Sequence, residues 1–293
     1  MPQVAAVITA LRPKHWVKNI FVFAPVVFGH RILVSGDLLS TAAVFGLFCM
    51  LSSAIYLIND VADREKDRLH PVKRKRPIAA GSLQVGPAVA LALLLAVTAL
   101  GFAFWMNIEF AQIALGYLVL NLAYSFFLKN VVILDVMVVS TGFLLRVWGG
   151  AVVIGVVMSH WLVLCTVLIS LFLGFVKRRQ EISTYADSTE QRPILSEYSL
   201  PFLDQLIAVL TSTTLLAYML YTFSPEVAEK LGTRWMGLTL PFVLYGMFRY
   251  LYLVHQHGEG ESPTALVLTD KPLLLNVFLW GLTVLAVLYL FGQ

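Results

Sequence analysis

The chain has 293 residues, 59% of them hydrophobic and 13% charged, with a formal net charge of +4. A soluble domain averages roughly 45–50% apolar and about 25% charged residues, so this chain has too few polar side chains to cover a water-facing surface. These values exclude a disordered chain, a disulfide scaffold and an ordinary soluble enzyme, and they predict an integral membrane protein with several helical spans.

In chain order, the basic stretch Leu11-Arg12-Pro13-Lys14-His15-Trp16-Val17-Lys18-Asn19 runs without a cleavage signal into an apolar segment. It reads as a retained first span over 16–34. Further apolar runs at 38–59, 86–106, 109–128, 131–155, 158–176, 202–223, 235–255 and 272–291 bring the expected total to nine. Each is near the ~20 residues that a bilayer core requires. Their length and lack of alternation argue against strands. Very short spacers near 107 and 157 predict antiparallel hairpins on either side of them. Cys49 and Cys165 lie in apolar runs with no CxxC partner, which argues against a disulfide or a structural zinc. His15 and His70 have no partner at metal-ligand spacing. The expected fold is all-α: a polytopic membrane protein of about nine transmembrane helices, a single integral domain over 1–293.

Lysine and arginine set the expected orientation. With the N-terminus in the cytoplasm, the segments around 12–18, 64–76, 129, 177–192 and 271 carry nearly all the loop cations. Only Arg31, Lys230 and Arg234 fall on the other side. This asymmetry predicts an N-in, C-out protein of the inner (cytoplasmic) membrane. In a membrane protein a basic balance reports contact with anionic lipid, not nucleic acid.

The second span ends in Asn59-Asp60-Val61-Ala62-Asp63-Arg64-Glu65-Lys66-Asp67. If the helix continues, Asn59, Asp63 and Asp67 share one face, with Asp60 one turn before Asp63. Oxygen side chains on one stripe repel each other unless a cation joins them, and carboxylates suit Mg²⁺ that also binds substrate phosphates. A solvated helix end laced with ion pairs is the bland alternative. The loop that follows, His70 to Gly81, is basic and broken by Pro71 and Pro77. Cations beside an acidic cluster are what a diphosphate ester and its metal require, and this favours the functional reading.

Further along, Asn121, Tyr124, Ser125 and Lys129 lie roughly on one face at the end of the fourth span. Asp135 and Arg146 lie in the fifth span, where they either face the site or hold the helices together. Asp204 and Gln205 open the seventh span as interfacial residues. Arg249 in the eighth span is placed to snorkel.

The stretch NDxxDxxxD at Asn59–Asp67, followed by HPxKxxRPIAxG from His70 to Gly81, resembles the first aspartate-rich motif of the UbiA superfamily of intramembrane prenyltransferases. The resemblance covers nearly the whole chain. It implies nine helices, a cytoplasm-facing cavity, and Mg²⁺ with a pyrophosphate at its mouth. The metal would be held by Asn59, Asp60, Asp63 and Asp67, with Asn59, Asp63 and Asp67 in the catalytic role. Most members carry a second aspartate motif after the sixth span. Here that region reads Lys177-Arg178-Arg179-Gln180-Glu181, and Asp187 and Glu190 are acids at poorly matching spacing.

The LRPKHWVKN, KRRxE and Gln191–Ser199 (QRPILSEYS) segments resemble the decaprenyl-phosphate phosphoribosyltransferase branch of the superfamily. That branch transfers phosphoribose from phosphoribosyl pyrophosphate to a polyprenyl phosphate and releases pyrophosphate. On this reading Lys73 and Arg76 bind the pyrophosphate. Lys14, Lys18, Lys177 and Arg178 meet the 5-phosphate or the lipid phosphate, and Glu181 meets ribose hydroxyls. Asn19, Tyr124 and Lys129 are further expected substrate contacts. The partners expected are phosphoribosyl pyrophosphate, a polyprenyl phosphate lipid and the membrane, and a homo-oligomer is left open. An aromatic prenyltransferase using Asp187 and Glu190 as a second acidic site is the first alternative. A transporter or non-catalytic lipid-binding protein is the second, disfavoured because no paired internal repeat is visible and the polar residues gather at one membrane face.

Overall fold

A computed structural model describes residues 3–184, 193–258 and 263–292. Every regular element among them is helical. Eight stretches are long and apolar enough to cross a membrane. They are α3 (Ser35–Ala62), α5 (Val85–Met106), α6 (Ile108–Phe126), α7 (Leu134–Val153), α8 (His160–Thr184), α9 (Leu200–Phe223), α11 (Leu240–Gln256) with the 3₁₀ turn Trp235–Thr239 before it, and α13 (Lys271–Leu290). Shorter helices are α1 (Gln3–Leu11), α2 (Ala24–Phe28), α4 (Arg64–Leu69), α10 (Pro225–Leu231) and α12 (Pro263–Thr269). Both cysteines are free, as expected.

The expected first span over 16–34 takes another form. A 3₁₀ helix from Pro13 to Phe23 leads into the short α2. Long 3₁₀ runs are uncommon because their hydrogen bonds are poorly aligned, so tertiary contacts must hold this one. Asn19 supplies them: it is fully buried, and its amide donates to Cys49 Sγ (3.2 Å) and Ser52 Oγ (3.4 Å) on α3. Arg12, in the left-handed region at φ 54°, turns the chain between α1 and the 3₁₀ helix.

The described chain divides into two compact units. The first comprises residues up to 26, 34–129 and 145–157; the second comprises 27–33, 130–144 and 158 onward. In the first unit α3 lies against α5. Ala88, Ala92, Ala96, Ala99 and Ala103 form a buried stripe of small residues along α5, which lets the two helices approach closely. The opposite face of α5 exposes Leu93, Leu94, Val97, Phe104 and Trp105, suited to lipid. Val44, Phe48, Leu51 and Ile55 of α3 pack with Phe110, Ala114 and Tyr117 of α6. Asn107 turns the expected hairpin: its side chain caps α6 by accepting from the N–H groups of Glu109 (2.8 Å) and Phe110 (3.1 Å).

In the second unit the first half of α7 runs antiparallel to α8 along a polar seam. Ser140 and Ser170 share a hydrogen bond of 2.7 Å, and Asp135 pairs with Arg178 at 2.6 Å. Between these levels a Cβ at Gly174 would collide with the Val136 side chain, so the glycine sets how closely the helices meet. The apolar core of this unit joins Phe172, Phe175 and Val176 to Leu203, Ile207, Met247, Tyr250 and Leu273. Ser199 and Asp270 cap α9 and α13. Arg249 pairs with the residue that caps α13: its guanidinium donates to Asp270 Oδ2 at 2.8 Å.

Candidate active site

The aspartate stripe survives a break in its helix. α3 ends at Ala62, Asp63 takes φ −93°, ψ 8°, and α4 begins at Arg64. Across the joint, the Asp63 N–H still donates to the Asn59 carbonyl (2.9 Å) and the Asp67 N–H to the Asp63 carbonyl (2.8 Å). Asn59, Asp63 and Asp67 therefore follow one another at the expected one-turn steps.

Each aspartate meets a cation. Arg12 donates to Asp60 Oδ1 at 2.5 Å, and its guanidinium lies 4.8 Å over the Tyr56 ring. Arg76 bridges two acids, donating to Asp60 Oδ1 (3.1 Å) and Asp67 Oδ2 (2.7 Å). Lys129 Nζ reaches both oxygens of Asp63, at 3.0 and 3.2 Å. Asp60 and Asp67 are buried, whereas Asp63 is half-exposed.

The basic loop owes its shape to its motif residues. His70 Nδ1 accepts from the N–H groups of Val72 (3.1 Å) and Lys73 (3.3 Å). Arg68 Nε donates to the Ala79 carbonyl at 3.2 Å, and Ser82 Oγ donates to the Pro77 carbonyl at 3.1 Å. Gly81 closes the loop at φ 77°, a conformation glycine adopts without strain. The fold of the loop thus presents Arg76 to the aspartates.

No three His, Cys, Asp or Glu side chains are gathered as a metal cage among the described residues. Mg²⁺ on a phosphorylated substrate usually takes only one or two carboxylates, and phosphate oxygens and waters complete its shell. Asp60 Oδ2 is buried without a hydrogen-bond partner among the described residues, and the stripe offers hard carboxylate and amide oxygens. These residues fit a metal shared with a diphosphate.

Deeper in the same unit, Arg146 is buried. Its Nε donates to Asn19 Oδ1 (2.6 Å), its terminal nitrogen donates to Tyr117 Oη (2.6 Å), and it lies 4.7 Å from the Tyr117 ring centroid. Asn19, expected to touch substrate, is therefore part of an interior polar network. Lys14 is exposed at the first turn of the 3₁₀ helix, and Lys18, Lys73 and Tyr124 are half-buried. Asn121 and Ser125 donate to carbonyls of their own helix.

The second unit holds the other expected group. Arg178 is 4% exposed and clamped between two acids: Nε donates to Asp135 Oδ2 (2.6 Å) and a terminal nitrogen to Glu181 Oε2 (2.5 Å). Lys177 stands 3.8 Å from Glu181 and is more exposed than Arg178. Tyr198 Oη donates to Asp135 Oδ1 at 2.9 Å and accepts from the Ile133 N–H at 2.6 Å. Burial pushes the Tyr198 phenol up to about 12, so it stays protonated at physiological pH. Asp187 and Glu190 lie outside the described residues.

Sequence spacing missed Arg12, Tyr56 and Tyr198 as parts of these groups and named Asp135 without its partner. Arg12 and Tyr198 stand inside the LRPKHWVKN and QRPILSEYS segments, whose resemblance pointed to them without giving their roles.

The model of the UbiA prenyltransferase family matches residues 20–282. A decaprenyl-phosphate phosphoribosyltransferase of Corynebacterium glutamicum is 34% identical over 289 residues, covering 97% of this chain and 86% of its own. Those of Mycolicibacterium smegmatis and Mycobacterium tuberculosis are 34% and 33% identical, covering 98% and 96% of this chain and 93% of theirs. In structure, a UbiA homolog from Archaeoglobus fulgidus bound to GPP and Mg²⁺ superimposes with a TM-score of 0.74 at 18% identity, covering 96% of this chain and 100% of that one. A UbiA homolog from Aeropyrum pernix gives 0.60 at 15% identity, covering 94% and 97%. The aspartate stripe with its folded basic loop and the match over nearly the whole chain agree: this protein belongs to the UbiA prenyltransferase family.

Proposed function

We propose that the chain is a Mg²⁺-dependent phosphoribosyltransferase of the cytoplasmic membrane, moving phosphoribose from phosphoribosyl pyrophosphate to a polyprenyl phosphate and releasing pyrophosphate. The observation that carries this reading is the near-full-length similarity to three decaprenyl-phosphate phosphoribosyltransferases. The abundance of cations around the aspartates supports it, because donor and acceptor together bring several phosphate groups.

Asn59, Asp60, Asp63 and Asp67 are the residues that would hold the metal. Bound there, Mg²⁺ would neutralise charge on the departing pyrophosphate. Arg12 and Arg76 pair with the buried Asp60, and Arg76 spans Asp60 and Asp67 where a diphosphate would join them. Lys73 belongs to the same folded loop and supplies a second cation to the pyrophosphate. As the bond from ribose C1 to the pyrophosphate oxygen breaks, C1 gains oxocarbenium character. A phosphate oxygen of the lipid attacks C1 from the opposite face, which inverts that carbon. The nucleophile is already anionic, so the reaction needs no strong general base. In the second unit Lys177 and Glu181 offer a cation for phosphate and an acceptor for ribose hydroxyls.

The test is a transfer assay on purified protein in detergent with labelled phosphoribosyl pyrophosphate, a polyprenyl phosphate and Mg²⁺. Label is expected in the lipid phase, abolished by chelator and reduced about 100-fold or more by Asp63→Ala. Turnover of a prenyl diphosphate with an aromatic acid instead would overturn the substrate assignment.

A further inference from the structure

In the second unit four hydrogen bonds link five residues into an unbroken chain that ends at Glu181. It starts at Ile133, in the turn before α7. This β-branched residue has φ 67°, a left-handed conformation that such side chains rarely adopt. Its N–H donates to Tyr198 Oη (2.6 Å), which donates to Asp135 Oδ1 (2.9 Å). The other oxygen of Asp135 accepts from Arg178 Nε (2.6 Å), and Arg178 donates to Glu181 Oε2 (2.5 Å). Asp135 is 0% exposed and Tyr198 and Arg178 are each 4% exposed, so water does not compete for these bonds. Strained backbone persists only where its surroundings hold it, and it gathers at functional sites.

Glu181 is where the chain reaches accessible surface, with 16% of its side chain exposed beside the more exposed Lys177. Tyr198 stacks on Phe202 at an interplanar angle of 18°, which fixes the ring independently of its hydroxyl. The chain also gives a physical role to the tyrosine of the QRPILSEYS segment.

We infer that Tyr198 and Asp135 are positioning residues, which act through Arg178 to hold Glu181 in place for the hydroxyls of the ribosyl donor. The donor assignment rests on the proposed function; the relay itself rests on the geometry. An Arg178 without Asp135 would swing toward Glu181 or solvent, and Glu181 would lose its fixed rotamer.

The experiment compares wild type, Tyr198→Phe, Asp135→Asn and the double variant Ile133→Gly/Tyr198→Phe in detergent. Three quantities are read: thermal stability, amide exchange over 177–184, and KM and kcat for each substrate. Tyr198→Phe and Asp135→Asn are expected to raise KM for phosphoribosyl pyrophosphate about tenfold or more, the loss expected for one hydrogen bond to a charged group. KM for the polyprenyl phosphate should change less than twofold. Exchange over 177–184 should quicken. Glycine adopts φ 67° freely, so the double variant should recover thermal stability but neither the donor KM nor the slow exchange. Recovery of all three together would mean that the tyrosine only supports the fold, and would overturn the inference. An unchanged donor KM in Tyr198→Phe would overturn it too. If wild type turns over no phosphoribosyl pyrophosphate, the functional reading and the donor assignment fail, and unchanged exchange in Tyr198→Phe would then refute the relay independently.

Discussion

At the scale of single residues, burial decides how much each ion pair of the aspartate site is worth. Asp60 is 1% exposed and its Arg12 partner 20%, whereas Lys129 and Asp63 are 24% and 29% exposed. Breaking a buried pair leaves a desolvated charge and costs about 3–5 kcal/mol, while a solvated pair contributes about 0–1 kcal/mol. Arg76 still reaches Asp60 when Arg12 is gone, so Arg12→Ala should fall below the upper range, at roughly 2–3 kcal/mol. Lys129→Ala should cost less than about 1 kcal/mol. Thermal unfolding of the two variants in detergent checks this: Arg12→Ala is expected to lower the apparent midpoint by several degrees more than Lys129→Ala. Equal losses would mean that solvent screens both pairs alike. The stripe of Asn59, Asp63 and Asp67 was legible in sequence because its members are local and one helical turn apart. Arg12 and Lys129 were not legible as its counter-ions, because each lies tens of residues from its aspartate. No periodicity links such positions; only the fold does. Asp135 and Arg178 are the same case in the second unit.

At the scale of elements, hydropathy located the long helices because lipid imposes both length and apolarity on them, but it stopped at 176 where the charged end of α8 runs on to Thr184. Over 16–34 it did not show the break in the helix, because it counts side chains and does not see backbone geometry. Pro13 opens a 3₁₀ helix there, and the buried Asn19 holds that helix through its contacts with α3 and Arg146. The close approach this requires is visible at two glycines of α7. A Cβ at Gly149 would lie 2.9 Å from the Phe48 ring, and one at Gly150 would overlap the Val22 carbonyl oxygen. That carbonyl is backbone and cannot rotate away. Gly46, in the middle of α3, has nothing within 4 Å of the same position. Gly150→Ala should therefore displace the 3₁₀ segment and cost about 2 kcal/mol or more, as overpacking does. Gly46→Ala should be neutral or stabilising by up to about 1 kcal/mol through helix propensity. Size-exclusion profiles and thermal midpoints of the two purified variants make the comparison. A monodisperse, unshifted Gly150→Ala protein would show that the segment is held elsewhere.

At the scale of the whole molecule, the segmented N-terminal stretch decides the side on which the N-terminus lies. Eight long helices alone would return the C-terminus to the side where α3 begins. If residues 3–28 also cross, the count is odd and the termini lie on opposite sides. Charge favours the odd count, because Arg12, Lys14 and Lys18 then share the cytoplasmic side with the loop after α3. The Lys73–Arg76 loop is strongly basic, whereas the polar segments around Lys230 and Arg234 carry few cations, and basic loops stay in the cytoplasm. Single cysteines in a background with Cys49→Ala and Cys165→Ala report the sides directly, by labelling of intact cells with a membrane-impermeant maleimide. Lys75 and Lys230 are both exposed and tolerate the probe. Lys75→Cys should label only after permeabilisation, whereas Lys230→Cys and a cysteine appended after Gln293 should label in intact cells. If the appended cysteine is protected while Lys230→Cys labels, α13 ends on the cytoplasmic side and the assigned number of crossings after α10 is wrong. If Lys75→Cys labels in intact cells, the aspartate site faces away from the cytoplasm, where phosphoribosyl pyrophosphate is made, and the proposed donor loses its access. The orientation experiment therefore tests the chemistry as well as the topology, because only an inward-facing Asp60–Arg76 cluster can meet a cytoplasmic diphosphate.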